Sequence, residues 1–311
     1  MKVLVTGGAG FIGSNLVVRL VGEGHGVRVL DDLCTGYRDN VPDGVELVVG
    51  DVSDETITRS AMDGVEIVFH QAARRSVVGS VEQPLRTDTA NVHGTLGVLE
   101  AARLAGVRRV VSASSSSVYG GAAQLPTPES APLTPRSPYA VSKLAGEHYC
   151  RVYTELHGLE TVSLRYFNIY GPRQRPDSAY AAVIPLFIEA LADGRRPTVY
   201  GDGGQSRDFT FIDDAVAANI AAATAPAPAC SGKAYNVAGG RRYSLLDLLA
   251  FLGTIQSVVA DPEFTDPRPG DVRHSEADIS AAVADLGYRP AVDFETGLGR
   301  TVEWFRDRVV S

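Results

Sequence analysis

Apolar positions alternate between two patterns along the first half of the chain. Val3-Leu4-Val5 is a short continuous apolar run, as in a strand buried on both faces, and Phe11 to Val21 follows with helical spacing. The exchange then repeats. Strands are expected at 2–6, 27–31, 45–49, 66–70, 107–112 and 161–166, with helices near 12–22, 54–62, 88–105 and 138–157. Such alternation predicts right-handed crossovers and an α/β fold with a doubly wound parallel sheet. After about residue 167 the rhythm breaks. Proline, arginine and glycine crowd Gly171 to Arg175, Arg195 to Gly204 and Asp261 to Gly270. These predict loops of a smaller, lid-like region over the carboxyl ends of the strands, where such folds bind ligands. Ala215 to Ala229 is alanine-rich but broken by Pro226 and Pro228, so it reads as a helix followed by a loop.

Composition narrows the class. The 311 residues are 44% hydrophobic and 21% charged, ordinary for a soluble globular protein with ample core. A net charge of −8 argues against nucleic-acid or acidic-membrane binding, so anionic ligands need locally placed arginines. Cys34, Cys150 and Cys230 are far apart, with no CxxC pair. A reducing cytoplasm and no metal site are expected. No secretory leader pattern opens the chain, since the first strand begins at residue 2, and no apolar run approaches bilayer-spanning length.

The first chemistry lies in Gly7-Gly8-Ala9-Gly10-Phe11-Ile12-Gly13, between the first strand and the first helix. This is the context of a dinucleotide fingerprint. Gly7 is expected to allow a tight turn, Gly10 a close pyrophosphate and Gly13 close packing of helix on strand. The amino end of the helix favours phosphate. Asp31 ends the second strand, 18 residues after Gly13. A carboxylate there suits both ribose hydroxyls of an adenosine and repels a 2′-phosphate, which predicts NAD over NADP. The plainer reading is that Asp31 or Asp32 caps the next turn.

The second lies in Ser137-Pro138-Tyr139-Ala140-Val141-Ser142-Lys143. Ser137 is a good N-cap and Pro138 suits the first helical position. Tyr139 and Lys143 then share a helix face, and an ammonium near a phenol favours phenolate. Alone, such a pair is a commonplace of helix surfaces. Ser114 to Ser117 follow a buried strand and are poorly explained by packing, although a serine-rich turn can satisfy its own backbone.

The motifs TGGAGFIG, SSSSVYG, SPYAVSK, RYFNIYGPRQ, GDGGQSRDFTFIDD and RPGDVRHSEADIS occur in that order. Over essentially its whole length the chain resembles the extended short-chain dehydrogenase/reductases that act on nucleotide sugars, above all the UDP-hexose 4-epimerases. The resemblance implies a Rossmann NAD-binding domain at 1–166, with 212–238 returning to it, and a nucleotide-sugar region at 167–211 and 239–311. It implies Ser115, Tyr139 and Lys143 as the catalytic set, with Tyr139 as base and Lys143 on the nicotinamide ribose. Phe11, Ile12, Asp32, Asp51, Val52, Gln71, Ala72, Ala73, Asn91, Ser114 and Phe167 would join the glycines and Asp31 around NAD. Arg75, Ser116, Asn168, Val183, Tyr200, Arg207, Arg268 and Asp271 would meet the UDP-sugar. Helices near 88–105 and 138–157 would pair in a homodimer.

The related dehydratases carry an Asp-Glu pair before the VYG, and the UDP-glucuronate decarboxylases a glutamate. Ser116 and Ser117 stand there instead, so elimination and decarboxylation lack their acid/base group. The expected activity is 4-epimerisation of UDP-glucose and UDP-galactose. Small Ser275 and the pair Ala181-Ala182 resemble members that accept N-acetylhexosamines. Arg175 resembles the arginine of UDP-glucuronate 4-epimerases that meets the C6 carboxylate, which is the rival reading. A third is a catalytically silent NAD sensor, against which the complete Ser115–Tyr139–Lys143 set argues.

Overall fold

The computed structural model describes residues 1–121, 124–175, 182–267 and 272–309. Ala181, Arg268 and Asp271 lie outside the described residues. Seven strands form one parallel sheet: β1 (Lys2–Thr6), β2 (Gly26–Asp31), β3 (Glu46–Val49), β4 (Ile67–His70), β5 (Arg109–Ser115), β6 (Glu160–Tyr166) and β7 (Lys233–Val237). Their order is β7-β6-β5-β4-β1-β2-β3. The winding reverses between β1 and β4, which opens a crevice at their carboxyl ends.

The apolar runs are strands because both faces are covered. Val3 and Val5 pack into one core with Leu16, Val17 and Leu20 of α1 (Phe11–Gly22). Leu4 points to the other core with Val68 and with helices α2 (Glu55–Ala61), α5 (Gly94–Leu104) and α6 (Pro138–His157). The first core also holds Ala215, Ala218 and Ala222 of α8 (Ile212–Thr224).

Differences from the expected elements carry information. β5 runs three residues beyond the expected end at 112, because Ala113, Ser114 and Ser115 pair with Leu164, Arg165 and Tyr166 of β6. The serines are thus carried to the crevice on a strand. The helix expected at 88–105 begins earlier, as α4 (Pro84–Asp88), and is joined to α5 through a π-turn, Thr89–His93. A further short helix, α3 (Val77–Glu82), precedes it. Pro226 and Pro228 do end α8, but a short helix, Ala227–Cys230, follows.

The region after β6 is more ordered than its composition predicts. It holds α7 (Val183–Ala192), several two- and three-residue strands and a helix at Leu245–Gln256 with a Ser244–Asp247 capping box. Aromatic rings fasten it to the core. Phe294 stacks on Tyr243 at 4.3 Å and on Phe209 at 5.2 Å, and meets Tyr170 edge-on at 5.6 Å. No described helix is long and apolar enough to cross a membrane.

Candidate active site

A cleft of about 290 Å³ opens at the reversal point, bounded by Gly7, Gly10 to Gly13, Asp31, Asp51, Gln71 to Arg75, Ser115, Tyr139 and Lys143. Gly7 has φ +69°, and a Cβ there would lie 2.7 Å from the Ala72 amide. A Cβ on Gly13 would collide with the Gly7 carbonyl, so this glycine lets helix meet turn rather than helix meet strand. No side chain caps α1 at Gly10, which leaves its leading amides to an anion. Asp31 is buried, and burial raises its pKa despite two backbone donors. Its Oδ2 accepts from Ala9 N at 2.9 Å and its Oδ1 from Leu33 N at 2.8 Å. The carboxylate therefore shapes the turn and still has lone pairs facing the cleft.

Tyr139 and Lys143 project from the first turns of α6. Ser137 accepts from Ala140 N at 3.1 Å, Pro138 opens the helix and Gly158 closes it at φ +68°. Tyr139, half-buried, and Ser115 border the cleft together. Burial raises the phenol's pKa, while the Ser115 contact and the Arg75 charge oppose the rise. Lys143 does not do the opposing. Its Nζ donates to the Ala113 carbonyl at 2.8 Å, and burial pushes its pKa down to about 8. The expected tuning of phenol by ammonium is thus replaced, in the protein alone, by a serine and an arginine.

Two buried networks hold this geometry. Below α6, Glu147 takes Arg165 Nε at 2.9 Å and Nη2 at 2.7 Å, and Ser114 Oγ at 2.5 Å. Both ion-pair partners are more than nine-tenths buried, at 6% and 7% exposure. Arg165 also reaches the Tyr119 hydroxyl at 2.8 Å, which donates on to Asn236 at 2.7 Å. Behind the Gln71–Arg75 loop, His70 bridges Thr6 (Nδ1, 2.8 Å) and Thr95 (Nε2, 2.9 Å). Thr95 donates its own proton to Asn91 O, so it must accept from His70, and Nε2 carries the hydrogen. Nδ1 then accepts from Thr6, which in turn takes the Ala72 amide at 3.3 Å.

A second cavity, about 490 Å³, lies beside the cleft under α7. Val183, Phe187, Tyr200, Arg207 and Phe209 contribute to it, with Arg195 and Arg196. Asn168, Ile169 and Gln174 border both cavities. Asn168 holds φ +40° and donates to Asp208 O at 3.1 Å and to Ser275 Oγ at 3.4 Å. A cleft lined by the glycine turn thus joins a cavity with cationic residues, at a hydroxyl-bearing strand end. Residues 3–238 match the NAD dependent epimerase/dehydratase family. The chain belongs to that family.

Its likeness to individual members spans the full length. The UDP-glucose 4-epimerase of Mycolicibacterium smegmatis is 43% identical, over 99% of both chains. A UDP-N-acetylglucosamine 4-epimerase from Methanobrevibacter ruminantium, solved in complex with UDP-N-acetylmuramic acid, superposes with a TM-score of 0.94 at 38% identity, over 99% of this chain and 98% of that one. The Thermus thermophilus UDP-glucose 4-epimerase in complex with NAD gives 0.90 at 38% identity, over 98% and 99%.

Within this epimerase/dehydratase chain the cleft gathers Gly7, Gly10, Phe11, Ile12, Gly13, Asp31, Asp32, Asp51, Val52, Gln71, Ala72, Ala73, Arg75, Ser114, Ser115, Tyr139, Lys143, Asn168 and Arg175. Four expected residues line neither cavity: Asn91, Ser116, Phe167 and Ser275, the last reaching Asn168 from outside. Asn91 spends its amide on both backbone groups of Arg74 (2.7 and 3.1 Å) and on Ser142, while Ala90 forms the cleft wall. Phe167 is buried against Tyr119 with Val118 and Ala238, and its neighbour Tyr166 faces the cleft. Ser116 begins a 3-10 turn and borders neither cavity. Arg195 and Arg196 were not found from sequence, because each sits in a polar loop and pairs with a nearby acid, Asp193 and Asp261. The doublet before Pro197 was the available signal.

Proposed function

We propose that this chain is an NAD-dependent UDP-sugar 4-epimerase that interconverts UDP-glucose and UDP-galactose and accepts UDP-N-acetylhexosamines. The observation that carries it is Ser115 beside Tyr139 in the cleft, where it favours the ionised phenol, at a strand end without a carboxylate at 116 or 117. The cleft fits NAD: the Gly7–Gly13 turn admits a pyrophosphate at uncapped amides, and Asp31 faces a ribose. When bound, NAD accepts hydride from C4 and returns it. Tyr139 takes the O4 proton, with the Ser115 hydroxyl beside it in the cleft, and later gives it back. Lys143 holds the nicotinamide ribose. Asn168 and Arg207 orient the diphosphate, for which a guanidinium fork is well shaped. With the 116–117 carboxylates absent, the ketone has no partner for β-elimination and is reduced again.

Selectivity is assigned to Ser275, whose hydroxyl meets Asn168 at the junction of the cavities. Ser275→Tyr is expected to abolish activity on UDP-N-acetylglucosamine and keep most of it on UDP-glucose, because only the acetamido group clashes. A panel with UDP-glucose, UDP-N-acetylglucosamine and UDP-glucuronate tests this. Turnover of UDP-glucuronate alone by the unmodified protein would install the uronate reading. Arg175 gives that reading little support, since its guanidinium is engaged at Thr35 and Tyr37.

Asp31 should set the cofactor. Binding of NADP is expected to be at least about 100-fold weaker than that of NAD, from a 2′-phosphate set against a buried carboxylate. Asp31→Ser should narrow the gap. Titrating both cofactors checks it, and equal affinities in the unmodified protein would rule the assignment out. We further propose a cytoplasmic homodimer. Leu85 is 81% and Leu156 72% exposed on α4 and α6, a costly surface unless covered, and all three cysteines are free.

A further inference from the structure

After β6 the chain passes Asn168 and the short strand Ile169–Tyr170, then turns back over the cofactor cleft. Arg173, Gln174 and Arg175 form part of the cleft's border, and Gln174 also borders the neighbouring cavity. This segment is fastened to the rim of the cleft at several points. Asn15 of α1 donates to Pro172 O at 3.1 Å. Arg173, held at φ +72°, donates to Ser14 O at 3.3 Å and to Asn40 O at 3.0 Å. Arg175 donates to Thr35 O at 3.1 Å and lays its guanidinium 4.3 Å from the centre of the Tyr37 ring. The acceptors of both arginines are main-chain carbonyls, in α1 and in the chain that follows Asp31. A left-handed φ on a residue with a Cβ is a strained choice, and the two bonds of Arg173 to the rim hold it there.

We propose that Pro172–Arg175 is a strap that keeps the dinucleotide in its cleft from one turnover to the next, with Arg173 and Arg175 as the positioning residues that fasten it. The inference rests on the NAD-dependent reading above. Its physical logic is the redox-neutral cycle. Loss of the cofactor between the two hydride transfers would strand an oxidised sugar, so slow release has value that it lacks in an enzyme exchanging cofactor at each turnover. The strap joins α1, which meets the pyrophosphate, to the loop after Asp31, which meets the adenosine. A dinucleotide in this cleft would be held between those two anchors and the Gln71–Arg75 wall. Gln174 makes the same segment a partition with the substrate cavity.

The test compares unmodified protein with Arg173→Ala, Arg175→Ala and Arg175→Lys. Each is loaded with NAD, passed into NAD-free buffer and sampled over time for NAD retained per chain. Loss is expected to be about tenfold faster or more for each alanine variant, from the loss of charge-assisted bonds acting on the off-rate, and intermediate for lysine. Activity should decay in parallel and return on adding NAD. Retention at the unmodified rate in both alanine variants would overturn the strap. So would unmodified protein that sheds NAD as fast as the variants do. Unmodified protein that takes up no NAD at all would instead overturn the functional reading beneath it. Melting curves of the NAD-free proteins accompany the series, and the lysine variant preserves charge if an alanine variant unfolds.

Discussion

Tyr139→Phe should lose between about 10²- and 10⁴-fold in kcat, the usual range for a removed acid/base group. The side chain is half-buried at the cleft wall, so deleting one oxygen leaves the packing nearly intact. Binding of UDP-sugar and of NAD should change little, because neither the glycine turn nor the arginines of the second cavity are touched. The loss therefore falls on kcat and not on substrate affinity. A coupled assay of 4-epimer formation, with separate binding titrations, measures both. Retention of more than a tenth of the unmodified rate would remove Tyr139 from the role of base. Since burial raises the phenol and Lys143 is occupied at the Ala113 carbonyl, Arg75→Ala should shift the rate profile of the unmodified enzyme towards higher pH.

The second large effect is on the fold. Glu147→Ala leaves the Arg165 guanidinium buried without its carboxylate and strips Ser114 of its acceptor. Removing one partner of a buried pair costs about 3–5 kcal/mol. For a chain of 311 residues that corresponds to a fall in Tm of roughly 5–8 °C. Replacing both partners together, Glu147→Leu with Arg165→Met, should recover much of the loss, because no buried charge is left. Thermal melts of the NAD-free protein decide it. A single variant melting within about 2 °C of the unmodified protein would show that the pair carries no net stability.

The parts of the site set by short-range spacing were legible in the sequence. Gly7, Gly10 and Gly13 act within one turn, and Tyr139 with Lys143 within one helical turn. Ser115 follows from where a buried strand stops. What sequence alone does not give is which way a residue faces after distant segments meet. Asn91 and Phe167 both adjoin the cleft in sequence terms, yet a hydrogen bond to Arg74 turns one aside and the ring of Tyr119 receives the other. The rival uronate reading sets Arg175 at a sugar carboxylate, and in the protein its guanidinium donates to a carbonyl 140 residues earlier. The loops after 167 looked irregular because their order comes from rings far apart in the chain, gathered on Phe294.

The directed hydrogen bonds of His70 bear on what a titration of this protein would measure. Imidazole is ordinarily the group that charges between pH 5 and 8. Here both nitrogens are committed in one sense only, and burial pushes the pKa down to about 3. The neutral ring is the native form, so its contribution to stability is complete above about pH 6.5 and declines as the pH falls towards 3. Across the neutral range it gains no proton, and the wall formed by Gln71 to Arg75 keeps one geometry. The most familiar source of a near-neutral inflection is silenced behind the cofactor loop. Two other groups do fall in that range: burial pushes Lys143 down to about 8 and the Asp208 carboxyl up to about 7.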